Sequence, residues 1–161
     1  MGTLLHPKSV LVDTNVWMYY LLGVQPRCEE TVSLFELCAR RGITLLHTPT
    51  TLKDLFYLIP LQARRDAMQG GERADERSFA PLAWACVRHV TNMAVAVPQS
   101  LAECELAWML RKQHDDFEDN LLVAAAETSK ADYIATYDRK LLEAFAPACV
   151  EPAQLAAMLK L

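Results

Sequence analysis

The stretch SVLVDTNVWMYYLL (residues 9–22) decides the fold. Ser9 to Asp13 is short, apolar and β-branched, the composition of a strand buried on both faces of a parallel sheet. Thr14 and Asn15 then supply a turn and a helix cap before VWMYYLL. A buried strand feeding directly into a helix is the first part of a β-α series, and this strand, being first and apolar, is expected at the sheet centre. Ligands of such sheets bind beyond the strand carboxyl ends, where strand order reverses. Asp13 falls at that end.

Working outward, Pro26 opens an amphipathic helix closed by Arg40, Arg41 and Gly42, and Ile43 to His47 reads as a second short strand. Thr48 and Pro49 open another helix with Leu52, Leu55, Phe56 and Ile59 on its apolar face, and Pro60 marks a break or kink. QGGERADERS (residues 69–78) combines a glycine pair with dense charge and is expected to be a loop. Phe79 to Thr91 reads as a helix, Met93 to Val97 as a strand, and Ser100 to Gln113 as a helix with Ser100 and Glu103 spaced as a capping box. Asp116 to Lys130 is helical, Tyr133 to Thr136 a strand and Arg139 to Phe145 a short helix. Cys149 and Val150 form a minimal last strand before a C-terminal helix. Alternating strands and helices predict a parallel sheet covered on both faces.

At 161 residues the chain fits one domain with a full core. Its five cysteines are odd in number, form no C-x-x-C pair and sit among apolar neighbours, so reduced core thiols are expected. Met1 to Pro7 lacks a signal-peptide pattern, and no run approaches the ~18 apolar residues of a membrane span. A cytoplasmic location with no membrane partner follows as an expectation. The net charge of −4 argues against a general electrostatic grip on nucleic acid. Local positive charge gathers at Arg64, Arg65, Arg73 and Arg77, either a solvated face or the contacts of an anionic substrate.

Acids recur where apolar runs give way to polar residues: Asp13, Asp54 in TTLKDL, Asp119 in DFEDNLLVAAA and Asp138 after ADYIATY. Asp13 can cap the following helix or ligate a cation. The neighbouring Thr14 and Asn15 can supply capping and supporting hydrogen bonds, which favours ligation. Asp115, Asp116 and Glu118 complement a helix dipole. Asp119 instead enters a helix that is apolar nearly all round, where an unpaired carboxylate is costly and a cation compensates. Asp138 can cap the helix after it or join the cluster, and Asp54 has Lys53 beside it. Carboxylates without a histidine or thiol cluster suit Mg²⁺ or Mn²⁺. His6, His47, His89 and His114 lack zinc spacing and read as core or surface residues. No nucleophile elbow, phosphate-binding loop or dinucleotide fingerprint occurs.

At VLVDTNVWMYYLL, TTLKDLFYLI, DFEDNLLVAAA and ADYIATYDRKLL the chain resembles the PIN-domain ribonucleases, which include the VapC-type toxins of bacterial toxin–antitoxin pairs. The likeness runs in the right order over nearly the whole chain. It implies a single PIN-like domain over residues 1–161, a three-layer α/β/α sandwich with a central parallel sheet, and acids that bind Mg²⁺ or Mn²⁺ for phosphodiester hydrolysis. It also implies an RNA substrate and an antitoxin partner. Asp13, Asp119 and Asp138 match the family's acids, Asp116 matches a frequent extra carboxylate, and Thr14 or Asn15 and Thr136 match polar positions near the site. Many members carry Glu where this chain has Asp54, whose shorter arm is expected to reach the metal through water. The arm from Gln62 to Ser78 is longer than in the most compact members and is expected to shape substrate entry.

In the expected mechanism the metal activates a water for in-line attack on phosphorus. Asp13 and Asp119 are direct ligands, Asp138 a direct or water-mediated one, and Asp54 positions water or holds a second metal. A phosphatase of the haloacid-dehalogenase kind needs a second Asp two residues after the first, and Asn15 stands there. A catalytically degenerate fold kept for binding RNA or protein is the other alternative. Trp17 to Leu22 give one short helix more apolar surface than a single stripe requires, so a homodimer is expected to cover it.

Overall fold

The computed structural model describes residues 7–71 and 79–160. Its sheet is five-stranded and parallel throughout, in the order β3-β2-β1-β4-β5, with β1 at Ser9–Val12, β2 at Thr44–His47, β3 at Val95–Ala96, β4 at Tyr133–Ala135 and β5 at Cys149–Val150. The central strand is β1: Leu11 is in register with Leu46 of β2 on one side and with Ile134 of β4 on the other. Strand order reverses between β1 and β4, so the carboxyl ends of these two strands flank the crevice where ligands of such sheets bind.

The helices are α1 (Thr14–Leu22), α2 (Arg27–Arg41), α3 (Pro49–Gln69), α4 (Ala80–Met93), α5 (Leu101–Leu110), α6 (Phe117–Ser129), α7 (Arg139–Ala144) and α8 (Pro152–Lys160). Because successive strand side chains point to opposite faces, β1 divides its residues between two cores. Val10 and Val12 pack with Trp17, Leu34, Leu55, Val90 and Leu155, from α1, α2, α3, α4 and α8. Leu11 packs with Leu122, Ala125 and Leu141, from α6 and α7. A smaller cluster of Ala107, Leu121 and Ala124 joins α5 to α6. These are the three layers expected from the alternating pattern.

Several boundaries differ from the sequence reading, each for a local reason. The α3 helix runs through Pro60 without a break and spans 21 residues. Proline there removes only the amide that would bond the Phe56 carbonyl, and buried Leu55 and Ile59 anchor the helix around it. The third strand shrinks to Val95–Ala96 because α4 continues to Met93, whose side chain packs against the larger core. Gly42 closes α2 at φ 68°, the left-handed geometry its glycine suits, and donates to Ala39 and Cys38 carbonyls. The capping box at Ser100 and Glu103 is present: Glu103 Oε2 accepts from the Ser100 amide at 2.6 Å and from its hydroxyl at 2.6 Å.

The cysteines are all free, but only Cys38, Cys86 and Cys149 are buried; Cys28 is half-buried and Cys104 exposed. The expectation of five core thiols is corrected accordingly: Cys104 lies on the outer side of α5, a helix whose buried residues are Glu103 and Ala107. The helix behind the dimer expectation is partly covered by its own chain, with Val16 and Trp17 its buried residues. Trp17 is fully buried, with its ring 4.9 Å from that of Phe35 and 6.1 Å from that of Tyr20, while Met18, Tyr20, Leu21 and Leu22 pack against the same core. Met18 through Leu22 remain half-buried, so this packing leaves apolar surface on α1. No described helix is long and apolar enough to cross a membrane.

Candidate active site

Asp13 follows β1 directly, and its main-chain amide continues the ladder by donating to the Ala135 carbonyl at 3.0 Å. This fixes its carboxylate against the end of β4. Oδ2 accepts from the Thr136 hydroxyl at 2.7 Å and from Asn15 Nδ2 at 2.7 Å, and Oδ1 accepts from the Thr14 amide at 2.6 Å. Asn15 ties the two strand ends together: its Oδ1 accepts from the Tyr137 amide at 3.1 Å. Thr136, fully buried, accepts from the Asp138 amide at 2.9 Å through the same hydroxyl that donates to Asp13.

Of the two roles the sequence left open for Asp13, the structure shows the cap. It caps α1 itself, so Thr14 does not relieve it of that task; the Thr14 hydroxyl instead lies 3.5 Å from that of Thr51. It is also a desolvated carboxylate beside others. Burial pushes it up to about 6, against the lowering effect of the Thr136 and Thr14 bonds, and the charges of Asp119 and Asp138 add to the rise. A carboxyl group held this far above its usual value at a strand-end crevice is where a cation has most to gain.

Asp119 lies in the first turn of α6, with its amide 3.2 Å from Asp116 Oδ1. Burial raises it above the usual carboxylate range, opposed by a hydrogen bond from His114, and the charges of Asp116 and Asp138 raise it further. Asp116 caps α6, and Asp138 caps α7 through amide bonds of 2.8 Å from Lys140 and 3.1 Å from Leu141. Both are thus helix caps whose charges reach the site.

A cleft of about 840 Å³ opens over this rim, lined by Asp13, Asp54, Glu118 and Asp119 and walled by apolar groups including Met18, Tyr19, Tyr57 and Leu58. Asp116 and Asp138 do not line it. Asp54 does, but Oδ1 is paired with Lys53 Nζ at 2.7 Å, the neighbour the sequence placed beside it. Arg64 lines a separate hollow between α3 and α4, and Arg65 is exposed. Neither is among the residues lining the cleft. Arg73 and Arg77 lie outside the described residues, as does most of the 62–78 arm beyond α3.

Among the described residues, no three carboxylate, imidazole or thiol side chains converge closely enough to hold an ion by themselves. The caps of α6 and α7 turn one oxygen each of Asp116 and Asp138 toward backbone amides. The donor chemistry nonetheless suits a hard cation that keeps several waters, as Mg²⁺ does. Oδ1 of Asp13 retains a lone pair beside its single amide bond, and Asp119 is hydrogen-bonded only through Oδ2 among the described residues. Two such oxygens with water completing the shell fit this group.

His114 was not legible as part of the site. It is buried, its Nε2 lies 2.7 Å from Asp119 Oδ2, and its carbonyl accepts from Asn120 Nδ2 at 2.7 Å. Its ring packs edge-on against Phe145, centroids 5.9 Å apart. Arg27 is a second addition: its guanidinium lies 4.6 Å from the ring centres of both Tyr19 and Tyr137, clamping the start of α2 beside the site.

No curated protein sequence matches this chain significantly. Solved structures share the fold. PAE2754 from Pyrobaculum aerophilum superposes with a TM-score of 0.64 at 16% identity, over 99% of this chain and 98% of its own. VapC20 of Mycobacterium tuberculosis, a sarcin-ricin loop cleaving toxin, superposes with a TM-score of 0.57 at 19% identity, over 84% and 94%. At the level of sequence, the family model described as PIN domain matches residues 9–140, from the first residue of β1 to the start of α7. That span contains every acid and hydroxyl described above, and the chain belongs to the PIN domain family.

Proposed function

We propose that this protein is a divalent-metal-dependent endoribonuclease, using Mg²⁺ or Mn²⁺ to hydrolyse RNA phosphodiester bonds at the rim of β1 and β4. The observation that carries the reading is the Asp13 carboxylate, held at the end of β1 by Thr136 and Asn15 and lining the cleft beside Asp119, where burial raises it. Such a group is costly to the fold unless the folded protein gains something by it. Asp13 and Asp119 would hold the metal, Asp138 and Asp116 would act through their charge or through bridging water, and Asn15 and Thr136 keep Asp13 aimed. When bound, the ion would supply an activated water and offset charge on the phosphate. Thr14 anchors the start of α1 through its amide bond to Asp13.

A toxin role with a cognate antitoxin is the narrower form of this reading, supported by membership of the PIN domain family and by likeness of fold to VapC20. A degenerate binding module is supported by one observation, that Asp54 is already neutralised by Lys53. One assay separates them: purified protein is incubated with single-stranded and structured RNA in Mg²⁺ or Mn²⁺, with and without EDTA. Cleavage that EDTA abolishes is expected. Cleavage indifferent to EDTA overturns the metal mechanism, and binding of RNA without cleavage favours the module.

A further inference from the structure

We propose that Lys53 is the side chain that receives the substrate phosphate in the cleft, and that Asp54 is its positioning residue and not a metal ligand. This rests on the nuclease reading above. Four carboxylates line the cleft, Asp13, Asp54, Glu118 and Asp119, and among the described residues lining it Lys53 is the single cation. A polyanionic substrate entering such a space meets repulsion from every charged wall but one. A bound divalent ion would offset Asp13 and Asp119, leaving Lys53 as the one fixed side-chain charge of the right sign among the described residues that line the cleft.

The placement of Lys53 suits that task. It projects from α3 across the cleft toward the first turn of α6, with Nζ 2.7 Å from Asp54 Oδ1 and 3.6 Å from Glu118 Oε1. Glu118 immediately precedes Asp119, so the ammonium stands next to the proposed metal position. The two contacts are unequal. The Asp54 side chain is 24% exposed and its bond short, whereas Glu118 is 72% exposed and its contact long. Asp54 therefore aims the ammonium, and Glu118 is a water-screened partner that a phosphate can replace at little cost. Asp54 also raises the Lys53 ammonium above its usual range, through the hydrogen bond first and charge second, so the lysine stays protonated. An ammonium has three donors, and at least one remains for an incoming oxygen.

A bland surface ion pair would have the same distances, so the experiment must read what only a phosphate contact moves. Binding of a fluorescein-labelled single-stranded oligoribonucleotide is followed by anisotropy in EDTA at several salt concentrations, for the wild type, K53M, K53R and D54N. Cleavage in Mn²⁺ and Mn²⁺ affinity by electron paramagnetic resonance are measured on the same proteins. K53M is expected to weaken RNA binding about tenfold at low salt and to reduce the slope of log affinity against log salt by about one. It should raise KM more than it lowers kcat, and K53R should restore most of the binding. D54N should leave Mn²⁺ affinity unchanged within about twofold while raising KM. Wild-type affinity and salt slope in K53M overturn the phosphate role, and a tenfold loss of Mn²⁺ affinity in D54N makes Asp54 a ligand after all. If the wild type binds RNA but cuts none, the nuclease reading fails while the EDTA arm still decides Lys53; a wild type that binds no RNA overturns both.

Discussion

His114 Nε2 donates to Asp119 Oδ2 across 2.7 Å, from a buried ring held edge-on against Phe145. Because an ionised carboxylate only accepts, Nε2 carries the hydrogen, and the bond leaves Asp119 Oδ1 aimed away from the imidazole. The imidazole is thus a support for the carboxylate, comparable to the outer partners that orient metal ligands elsewhere. H114L should lower Mn²⁺ affinity by roughly 10–100-fold, the usual cost of losing such a partner. H114Q keeps a donor at the corresponding distance and should recover most of it. A Mn²⁺ titration read by electron paramagnetic resonance decides the matter; unchanged affinity in H114L would reduce the contact to core packing.

Asp13 should make the metal-free protein less stable as pH rises. Its folded value, about 6, lies above its ordinary value of 3.8. The folded state therefore binds more protons than the unfolded chain between those values, stability falls as pH climbs through that window, and the full penalty is present above it. D13N removes the penalty and should raise stability in EDTA at pH 7 by about 1–3 kcal/mol. The gain should shrink toward pH 4. Denaturant melts of both proteins at pH 4, 5.5 and 7 give the answer, and a D13N protein that is less stable at pH 7 would mean that the cap on α1 outweighs the desolvated charge.

Added Mn²⁺ should reverse the sign of that effect. A ligand at 100 times its Kd stabilises the folded state by about 2.7 kcal/mol. The shift should be present in the wild type at pH 7.5, smaller at pH 5 where protons compete for Asp13, and absent in D13N. Differential scanning fluorimetry with Mn²⁺ and EDTA arms measures it; equal shifts in wild type and D13N would place the ion elsewhere.

Thr136 is expected to be the least replaceable hydroxyl of the molecule. Its oxygen donates to Asp13 at 2.7 Å while accepting from the Asp138 amide at 2.9 Å, in a fully buried position. T136V keeps the shape but strands both partners, at a cost of about 1–3 kcal/mol, and T136S should restore most of the loss. Equal melting of the valine and serine variants would contradict this.

The fold was readable because each of its decisive signals is local. The run Ser9–Val12 is apolar on both faces, and a strand with that composition belongs inside a parallel sheet. Asp13 and Asp138 carry the same kind of signal, as acids at strand ends, whereas Thr136 is marked only by the resemblance to PIN-domain proteins. Boundaries at Met93 and Pro60 went astray because core contacts of neighbouring residues override local breakers there. Sequence shows that carboxylates lie near one rim, not how their oxygens are shared with backbone amides at helix starts. His114 carried no spacing signal because it reaches Asp119 from a non-helical turn before α6. Trp17 shows the limit of counting apolar residues on one helix, since α2 and α3 both pack on α1 and bury that ring while Met18 through Leu22 stay half-buried.

The bond between Thr136 and Asp13 joins positions 123 residues apart. During synthesis, β1 and α1 emerge well before β4, so the hydroxyl that aims Asp13 and the acid that follows it arrive later. A chain that stops before Tyr133 lacks β4 and with it one whole side of the crevice. An incomplete translation product would carry Asp13, Lys53 and Asp119 without the partner strand that sets them against each other. The rim of β1 and β4 is thus complete only once residues far along the chain have joined it.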